Sequence, residues 1–464
     1  MTSSSSLPRA LAAVAFAAFA LSACALAGRA SYGARTTGDE PHYLLTAISL
    51  AEDRDLDVSD EIAARRYEAF SEVGLNRQSR RLEDGRMVSP HDPLLPLLLA
   101  PGVALAGWTG AKLTLALMGA ATAALALWVA VRRFGAPVGP AAVVVGLFAA
   151  TPPLSVYATQ VYPELPAALA TLAAVAVATA KPSRRRTAGL ALAISALPWL
   201  SVKYAPVAAA VAAVAAWKWW RRGERRDVVW LGGVLALSGV AFVAAHWAWY
   251  GGWTPYAVGD HFVTGELGVV GFDPNPAGRS TRLVGLLVDR AFGLAAWQPA
   301  WLLAVPAATA LALRRRGASG RAFLLVPAAA GWLNATFVAL TMHGWWCPGR
   351  QVVVIAPLLA IAVALWAGES RHRVAWTAAL GAAGLVSWAY LVAEVLARRL
   401  TLVVDFYDTS NPLYRAWSTL LPDYRDPGAS TWVLHALWIG AAALSVWWVA
   451  RRPLRASASP GGSG

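Results

Sequence analysis

The stretch KLTLALMGAATAALALWVAVRR, residues 112–133, decides the fold class of this chain. After Lys112 come nineteen residues without a charge, most of them Leu, Ala and Val, and the run ends at Arg132 and Arg133. A helix needs about 20 apolar residues to cross the ~30 Å hydrocarbon core of a bilayer. The stretch therefore predicts a transmembrane helix that stops at a basic pair.

Similar apolar runs recur along all 464 residues, of which 57% are hydrophobic and only 14% charged. Soluble domains carry roughly 25% charged residues. We therefore predict an all-α polytopic membrane protein, with residues 1–464 forming a single membrane-embedded domain and no separate soluble catalytic domain. About twelve transmembrane helices are expected, at residues 11–27, 112–131, 138–157, 165–180, 187–200, 204–217, 228–247, 299–313, 323–342, 352–366, 374–395 and 432–450.

The charges predict an orientation with both termini in the cytoplasm. With twelve crossings, the basic runs that bound short loops all fall on the cytoplasmic side, as the positive-inside rule requires. Only Glu224, Asp227 and Glu369 of the 26 acidic residues fall there too. This distribution explains the net charge of +14 without nucleic acid as a partner. We expect the basic loops to contact anionic membrane lipids instead.

Three long extracytoplasmic loops follow from this topology, at residues 29–93, 250–298 and 396–430. Residues 94–108 are apolar but contain Pro96 and Pro101, so they are assigned to an interfacial or re-entrant segment. The short spans within 187–217 either cross fully or form one re-entrant pair. Residues 21–24, LSAC, resemble a bacterial lipoprotein cleavage site, but we favour a position for Cys24 near the end of the first helix.

Titratable side chains gather on the predicted outer face. The stretch GDEPHY, residues 38–43, places Asp39 and Glu40 just beyond the first span. A partly desolvated carboxylate is a suitable general base for a hydroxyl, and Arg or Lys suits a phosphate. Asp39 and Glu40 are the candidate catalytic residues. The candidate substrate-binding residues are His42, Tyr43, His91, Tyr162, Glu164, Lys203, Arg290, His343 and Arg350.

Each candidate also has a structural interpretation. Asp39 and Glu40 could cap a helix that starts near Pro41. Arg290 and Arg350 could anchor the chain to lipid headgroups, and the histidines could be structural. No cofactor is predicted. Carboxylates and imidazoles near the first loop are compatible with a divalent metal, but they lack a spacing that singles one out, so no metal ligand is assigned.

The motifs resemble the GT-C superfamily of polytopic membrane glycosyltransferases. Residues 39–43, DEPHY, look like the Asp-Glu-x-Arg-Tyr stretch of the aminoarabinose transferases, and their placement is similar to that of the Asp-Glu pair in protein O-mannosyltransferases. The closest likeness is to uncharacterised bacterial members. These carry stretches similar to GDEPHYLL at 38–45, QVYPEL at 160–165, LLVDRAFGLAAWQP at 286–299 and GWWCPGRQ at 344–351.

The resemblance implies an enzyme of the bacterial plasma membrane with an extracytoplasmic active site. It would move a sugar, with inversion, from a polyprenyl-phosphate donor to a hydroxyl of a glycan, lipid or protein acceptor. By the same analogy Asp39 is the general base, and Glu40 orients the acceptor or helps to hold a metal. His42 replaces the Arg of the aminoarabinose pattern, so Lys203, Arg290 or Arg350 would have to supply that charge.

Two other functions remain open from the sequence. A secondary transporter would need ionisable residues near the bilayer midplane, whereas the centres of most spans here are Ala, Leu and Val. A non-catalytic envelope-assembly protein could share the same fold, because a fold can persist after its chemistry is lost.

Overall fold

The chain folds into a bundle of helices. The computed structural model describes residues 6–78, 81–259, 275–313 and 320–451, and within these residues it contains no β-strand beyond isolated bridges. The α-helices are α1 (Ser6–Cys24), α2 (Glu40–Glu52), α3 (Ser59–Ala63), α4 (Leu94–Arg132), α5 (Val138–Ala149), α6 (Leu154–Tyr157), α7 (Glu164–Ala178), α8 (Arg184–Leu200), α9 (Ala205–Arg221), α10 (Arg225–Tyr250), α11 (Pro276–Ser280), α12 (Arg282–Val288), α13 (Leu294–Trp297), α14 (Ala304–Leu313), α15 (Ala322–Phe337), α16 (Ala356–Ala367), α17 (Arg371–Leu396), α18 (Pro412–Ser418) and α19 (Ala429–Arg451).

Every predicted span contains helix, but three differ clearly from their predicted bounds: α1 ends at Cys24, α15 ends at Phe337, and residues 150–153 interrupt the span at 138–157. Among the described residues, six helical stretches are long and apolar enough to cross a membrane: Ser6–Cys24, Leu94–Arg132, Arg225–Val258, Arg350–Ala367, Arg371–Leu396 and Ala429–Arg451. Val138–Ala149, Glu164–Ala178, Pro299–Leu313 and Ala322–Phe337 are shorter apolar helices. The segments at 187–200 and 204–217 are the separate helices α8 and α9. The chain is thus a multi-pass membrane protein, while twelve crossings and cytoplasmic termini stay predictions.

The helix α4 is sharply bent. The bend separates residues 94–105 from the predicted span at 112–131, which the sequence analysis assigned to a different segment from residues 94–108. Ala106 and Gly107 leave the helical conformation, and Gly107 has φ +57°. The chain turns so tightly there that a Cβ on Gly110 would lie 1.9 Å from the carbonyl oxygen of Gly102. Residues 94–105 therefore form a short arm distinct from the long span, and only glycine fits where the two arms meet.

The bundle has a buried centre and a lipid-like exterior. Helix α16 is enclosed on most sides, with Ile361, Val363 and Ala364 fully buried. By contrast, α10 and α19 expose nearly all of their apolar residues, including Leu237 and Leu437. A helix that is apolar all round and little buried in protein is suited to a hydrocarbon surround.

Residues at the basic, predicted cytoplasmic ends of several helices contact one another. A Cβ on Gly320 would touch the ring of Phe134, and a Cβ on Gly368 would touch Pro137. Lys218 lies over the ring of Phe323, 5.0 Å from its centroid. These contacts bring predicted cytoplasmic loops together, while the side of the membrane that they face stays a prediction.

The first long loop is structured. Helix α2 begins at Glu40 with Pro41 in its first turn, which confirms the predicted start near Pro41. Residues from Glu40 to Ser49 are all buried, and α2 packs against α4. The backbone N–H of Arg35 donates to the carbonyl of Phe70, closing the loop beneath α2. Cys24 is the last residue of α1 and carries a free thiol.

We expect Gly110→Ala to destabilise the protein because its methyl group would overlap the backbone of Gly102. Overpacking of this kind costs about 1–3 kcal/mol, so the Tm of the purified protein in detergent should fall. Gly139→Ala in α5 is the matched control, since nothing lies within 4 Å of its Cβ position. Equal Tm values for the two variants would contradict the tight bend.

Candidate active site

Arg350 holds the centre of a buried ionic cluster on the predicted outer face. Its Nη2 lies 2.8 Å from Oδ2 of Asp39, and its Nε lies 2.8 Å from Oε1 of Glu164. The guanidinium also lies over the ring of Tyr162, 4.1 Å from the centroid, and 4.9 Å from the centroid of Trp346. With two carboxylates and two aromatic faces around it, this arginine is held in one orientation.

The backbone at Gly349 brings Arg350 to this position. Gly349 has φ +79°, and a Cβ there would lie 2.7 Å from Leu294 and 3.0 Å from Pro153. Directly after it, Arg350–Ile355 form a 3₁₀ turn that leads into α16. The Cys347 carbonyl accepts a 2.6 Å hydrogen bond from the hydroxyl of Tyr157, which fixes the preceding loop.

Glu164 joins two cations at the start of α7. Its side chain is fully buried, and Oε1 accepts from both Arg350 and Lys203, whose Nζ is 2.6 Å away. Lys203 leaves 23% of its side chain exposed, against 9% for Arg350. Burial lowers the pKa of Lys203, and Glu164 acts in the opposite direction. Asp39, Glu164, Lys203 and Arg350 together sum to zero charge, which makes their burial tolerable.

Asp39 is the most exposed member of the cluster, with 25% of its side chain accessible. It stands directly before α2, and its Oδ1 accepts from Nε2 of Gln78 at 3.2 Å. Burial pushes the pKa of Asp39 upward, but Arg350, aided by His91 and Gln78, outweighs it and holds the pKa well below its usual range. Asp39 is therefore ionised and carries an accessible carboxylate.

Glu40 is turned inward. Its Oε1 accepts from the backbone N–H of Thr37 at 3.2 Å and its Oε2 from the N–H of Val161 at 2.8 Å. Burial raises its pKa, against the charge of Lys112. These contacts pin the start of α2 to the turn before α7, so Glu40 positions Asp39 relative to Glu164.

His42, Tyr43 and His91 flank Asp39 on α2 and at the end of the loop. His42 Nε2 lies 2.9 Å from the carbonyl of Asn76, and the ring of His91 stacks on Tyr43 at 4.6 Å. His91 Nε2 lies 2.8 Å from Oε1 of Gln78. Gln78 donates its N–H to Asp39, so its Oε1 is the acceptor and Nε2 of His91 is the donor. His91, Gln78 and Asp39 thus form one hydrogen-bonded chain.

Tyr162 closes the floor of the cluster. Its hydroxyl donates to the carbonyl of Thr37 at 3.2 Å while its ring supports Arg350. Gly38, with φ +58°, leaves room for it, since a Cβ on Gly38 would lie 2.8 Å from the Tyr162 hydroxyl. The glycine that opens the GDEPHY stretch is thus required by the close approach of this ring.

Arg290 and His343 contact a second cluster. His343 Nε2 lies 3.2 Å from Oδ2 of Asp289, and Arg290 Nη1 lies 3.3 Å from Oδ2 of Asp423. A cavity of about 480 Å³ opens beside Arg290, between the second and third long loops. It is lined by polar and aromatic side chains that include Tyr407, Tyr414, Arg415, Asp423 and Arg425. Of the three cations considered as sources of positive charge near Asp39, Arg350 contacts Asp39 and Lys203 contacts the neighbouring Glu164, whereas Arg290 lies at this cavity.

Several contacts were missed by the sequence analysis. Gln78 has no local signal, because it lies in an irregular part of the first loop. Asp92 is buried with His246, whose Nε2 is 3.2 Å away, and accepts from the N–H of Val202. Within the described ranges, the one group of three acidic, histidine or cysteine side chains near enough to share an ion is Asp53, Asp60 and Glu61, outside the Arg350 cluster.

Comparison with known proteins found no matching family model and no matching curated protein. A solved structure that the chain is similar to is ArnT from Cupriavidus metallidurans bound to undecaprenyl phosphate. The match has 16% sequence identity and a TM-score of 0.45, and it covers 97% of this chain and 73% of the other.

We expect Glu164→Gln to destabilise the protein strongly, since it leaves Arg350 and Lys203 buried without their shared carboxylate. Removing one partner of a buried ion pair costs about 3–5 kcal/mol. Thermal unfolding of the purified protein would measure the loss. Asp84→Asn is the matched control, because its pair with Arg86 lies on the surface and should change the Tm very little. A Tm loss no larger than that of the control would show that the cluster is not needed for folding.

Proposed function

We propose that the chain is a glycosyltransferase that moves a sugar from a polyprenyl-phosphate donor to an acceptor hydroxyl on the extracytoplasmic side of a bacterial plasma membrane. The observation that carries this proposal is the partly exposed carboxylate of Asp39, 2.8 Å from a buried arginine that is itself tied to Glu164 and Lys203. A carboxylate that can take up a proton lies beside two cations of the kind that bind phosphate, and this arrangement supports the proposal. The motif resemblance and the multi-pass helical architecture support the same class.

Lys203 and Arg350 are the groups that would bind the donor phosphate. Lys203 is the more accessible of the two; its ammonium pairs with Glu164 and lies 5.2 Å from the centroid of the Tyr204 ring. Arg350 offers planar N–H donors suited to phosphate oxygens. A donor with a long apolar tail diffuses in the bilayer, whereas a nucleotide sugar is not readily supplied to the outer side. A lipid-linked phosphate is therefore the donor class we infer.

Asp39 would act as the general base. It accepts the proton of the acceptor hydroxyl as that oxygen attacks the anomeric carbon from the face opposite the phosphate. The new glycosidic bond forms while the bond between the anomeric carbon and the phosphate oxygen breaks, so the configuration inverts. The phosphate leaves with the bonding electrons, and Lys203 and Arg350 stabilise the charge that develops on it.

Donor binding would also make Asp39 a better base. In the free protein, Arg350 keeps the pKa of Asp39 low although burial pushes it upward. A phosphate that shares the guanidinium weakens this pairing, so the effect of burial would grow and the pKa would rise. The carboxylate would then take up a proton more readily when the donor is in place.

The acceptor side is proposed to lie at the cavity beside Arg290. The loop 343–350 connects the two regions, since His343 contacts Asp289 at one end and Arg350 pairs with Asp39 at the other. The carbonyl oxygen of Trp345, in the same loop, lies close to Gly38. A Cβ placed on that glycine would be 3.5 Å from this oxygen. A glycan, a lipid or a protein could present its hydroxyl from this side.

We expect Asp39→Asn to lower turnover at least about 100-fold, because a general base contributes 10²–10⁴ to the rate. The asparagine keeps a similar shape, so donor binding should change little. Turnover would be followed by mass spectrometry of lipid-linked sugars in membranes that contain the variant. Asp84→Asn, an exposed acid in the same loop, is the control. Full turnover in folded Asp39→Asn would remove the base and favour a non-catalytic role.

We expect Lys203→Met to weaken polyprenyl-phosphate binding about tenfold or more, because it removes a charge-assisted contact worth about 1.5–3 kcal/mol. Native mass spectrometry of the purified protein with undecaprenyl phosphate would measure the affinity. The control is Lys218→Met, which removes a lysine from the basic side of the bundle, where the side chain lies over Phe323. An equal effect of the two variants would argue against a phosphate site at Lys203.

A further inference from the structure

An acidic turn connects α2 to α3 at the far end of the helix that follows Asp39. Residues 52–61 read EDRDLDVSDE, with six carboxylates in ten residues. So much negative charge in one turn is unfavourable unless each carboxylate finds a donor or a cation. The partners of these side chains therefore show which of them have a structural role.

Asp55 and Asp57 are occupied by the chain itself. Asp55 Oδ1 accepts from the Ser49 hydroxyl at 2.9 Å and from the N–H of Asp57 at 3.0 Å. Asp57 Oδ1 accepts from the N–H and hydroxyl of Ser59 and from the N–H of Met87 at 2.9 Å. These two residues shape the turn and tie it to the end of the loop.

The carboxylate of Glu61, by contrast, receives no hydrogen bond from the described residues. The residue is only 3% exposed, and neither of its carboxylate oxygens has a hydrogen-bond partner among the described residues. An oxygen of Glu61 lies within 4.8 Å of carboxylate oxygens of both Asp53 and Asp60. A buried carboxylate is thus directed at two other acids, an arrangement that calls for a positive charge between them.

We propose that Asp53, Asp60 and Glu61 bind a calcium ion. All three ligands are oxygens, which hard divalent cations prefer. The three oxygens lie within 4.8 Å of one another, so one ion can reach all of them at Ca²⁺–O distances of about 2.3–2.6 Å. Ca²⁺ also accepts irregular oxygen shells, whereas Mg²⁺ demands a near-ideal octahedral one. Asp53 and Asp60 are exposed, so water can complete the coordination.

The surrounding charges favour a cation here. Asp53 directly follows the last residue of α2, where the helix dipole is negative. Arg66 is paired with Glu52 at 2.6 Å and also interacts with Glu61 and Asp53. Its single positive charge is shared among these carboxylates and does not neutralise the group of Asp53, Asp60 and Glu61.

The bound ion would hold the end of α2 against α3. Because α2 starts at Glu40, immediately after Asp39, fixing its far end would stabilise the helix on which the ionic cluster rests. The inference concerns binding and stability, so it does not depend on the proposed transferase activity.

Isothermal titration of the chelator-treated, full-length protein in detergent with CaCl₂ at pH 7.5 would test the site. We expect one saturable calcium ion per chain, weaker binding of MgCl₂, and a Ca²⁺-dependent rise in Tm. Glu61→Gln should weaken calcium binding at least tenfold and abolish the Tm rise. In the absence of calcium it should be at least as stable as the unaltered protein, because one of three repelling charges is gone.

Glu83→Gln is the matched control, since it removes an exposed carboxylate from the same loop, and its calcium affinity should equal that of the unaltered protein. Two results would overturn the proposal. One is the absence of saturable calcium binding to the unaltered protein at pH 7.5. The other is an affinity that falls equally in Glu61→Gln and Glu83→Gln, which would indicate only general attraction to an acidic loop.

Discussion

Arg350 is held between Asp39 and Glu164, and the four elements that meet on the predicted outer face depend on this contact. The first loop supplies Asp39, α7 begins at Glu164, the turn after α8 supplies Lys203, and the loop before α16 supplies the arginine. A guanidinium buried this deeply needs carboxylates, and each carboxylate belongs to a different part of the chain. The ion pairs of Arg350 therefore fix the relative positions of these elements more specifically than apolar packing alone would.

The same requirement makes the site useful for chemistry. A cluster with balanced charges can be buried, yet Asp39 and Lys203 at its edge keep about a quarter of their side chains exposed. Burial raises the pKa of Asp39 and Arg350 lowers it. The basicity of Asp39 would therefore change when a phosphate competes for Arg350. Binding of the donor and activation of the base would thus be coupled through one side chain, without any movement of the helices.

Backbone geometry has a comparable role at three glycines. Gly38 leaves space for the Tyr162 hydroxyl, Gly349 brings Arg350 past Leu294 and Pro153, and Gly110 allows α4 to fold against its own arm. Each of these positions brings backbone or ring atoms closer than a side chain would permit. In a bundle whose helices are mostly Ala, Leu and Val, these close approaches give the packing its specificity.

Much of the architecture was determined by the sequence alone. Long uncharged runs closed by arginines predicted the helices, because a bilayer imposes the length of a span, and Pro96 and Pro101 indicated that residues 94–108 would separate from the next span. The GDEPHY stretch and the Tyr-Pro-Glu turn were local enough to identify Asp39, Tyr162 and Glu164 as candidates.

Only the tertiary structure decided which candidates meet. It paired Arg350 with Asp39 and Lys203 with Glu164, and it paired Arg290 with Asp423 and His343 with Asp289. It also turned Glu40 inward and revealed Gln78 and Glu61. These pairings join residues up to 311 positions apart. Periodicity and composition describe one segment at a time, whereas partners of this kind are chosen by the packing of whole helices.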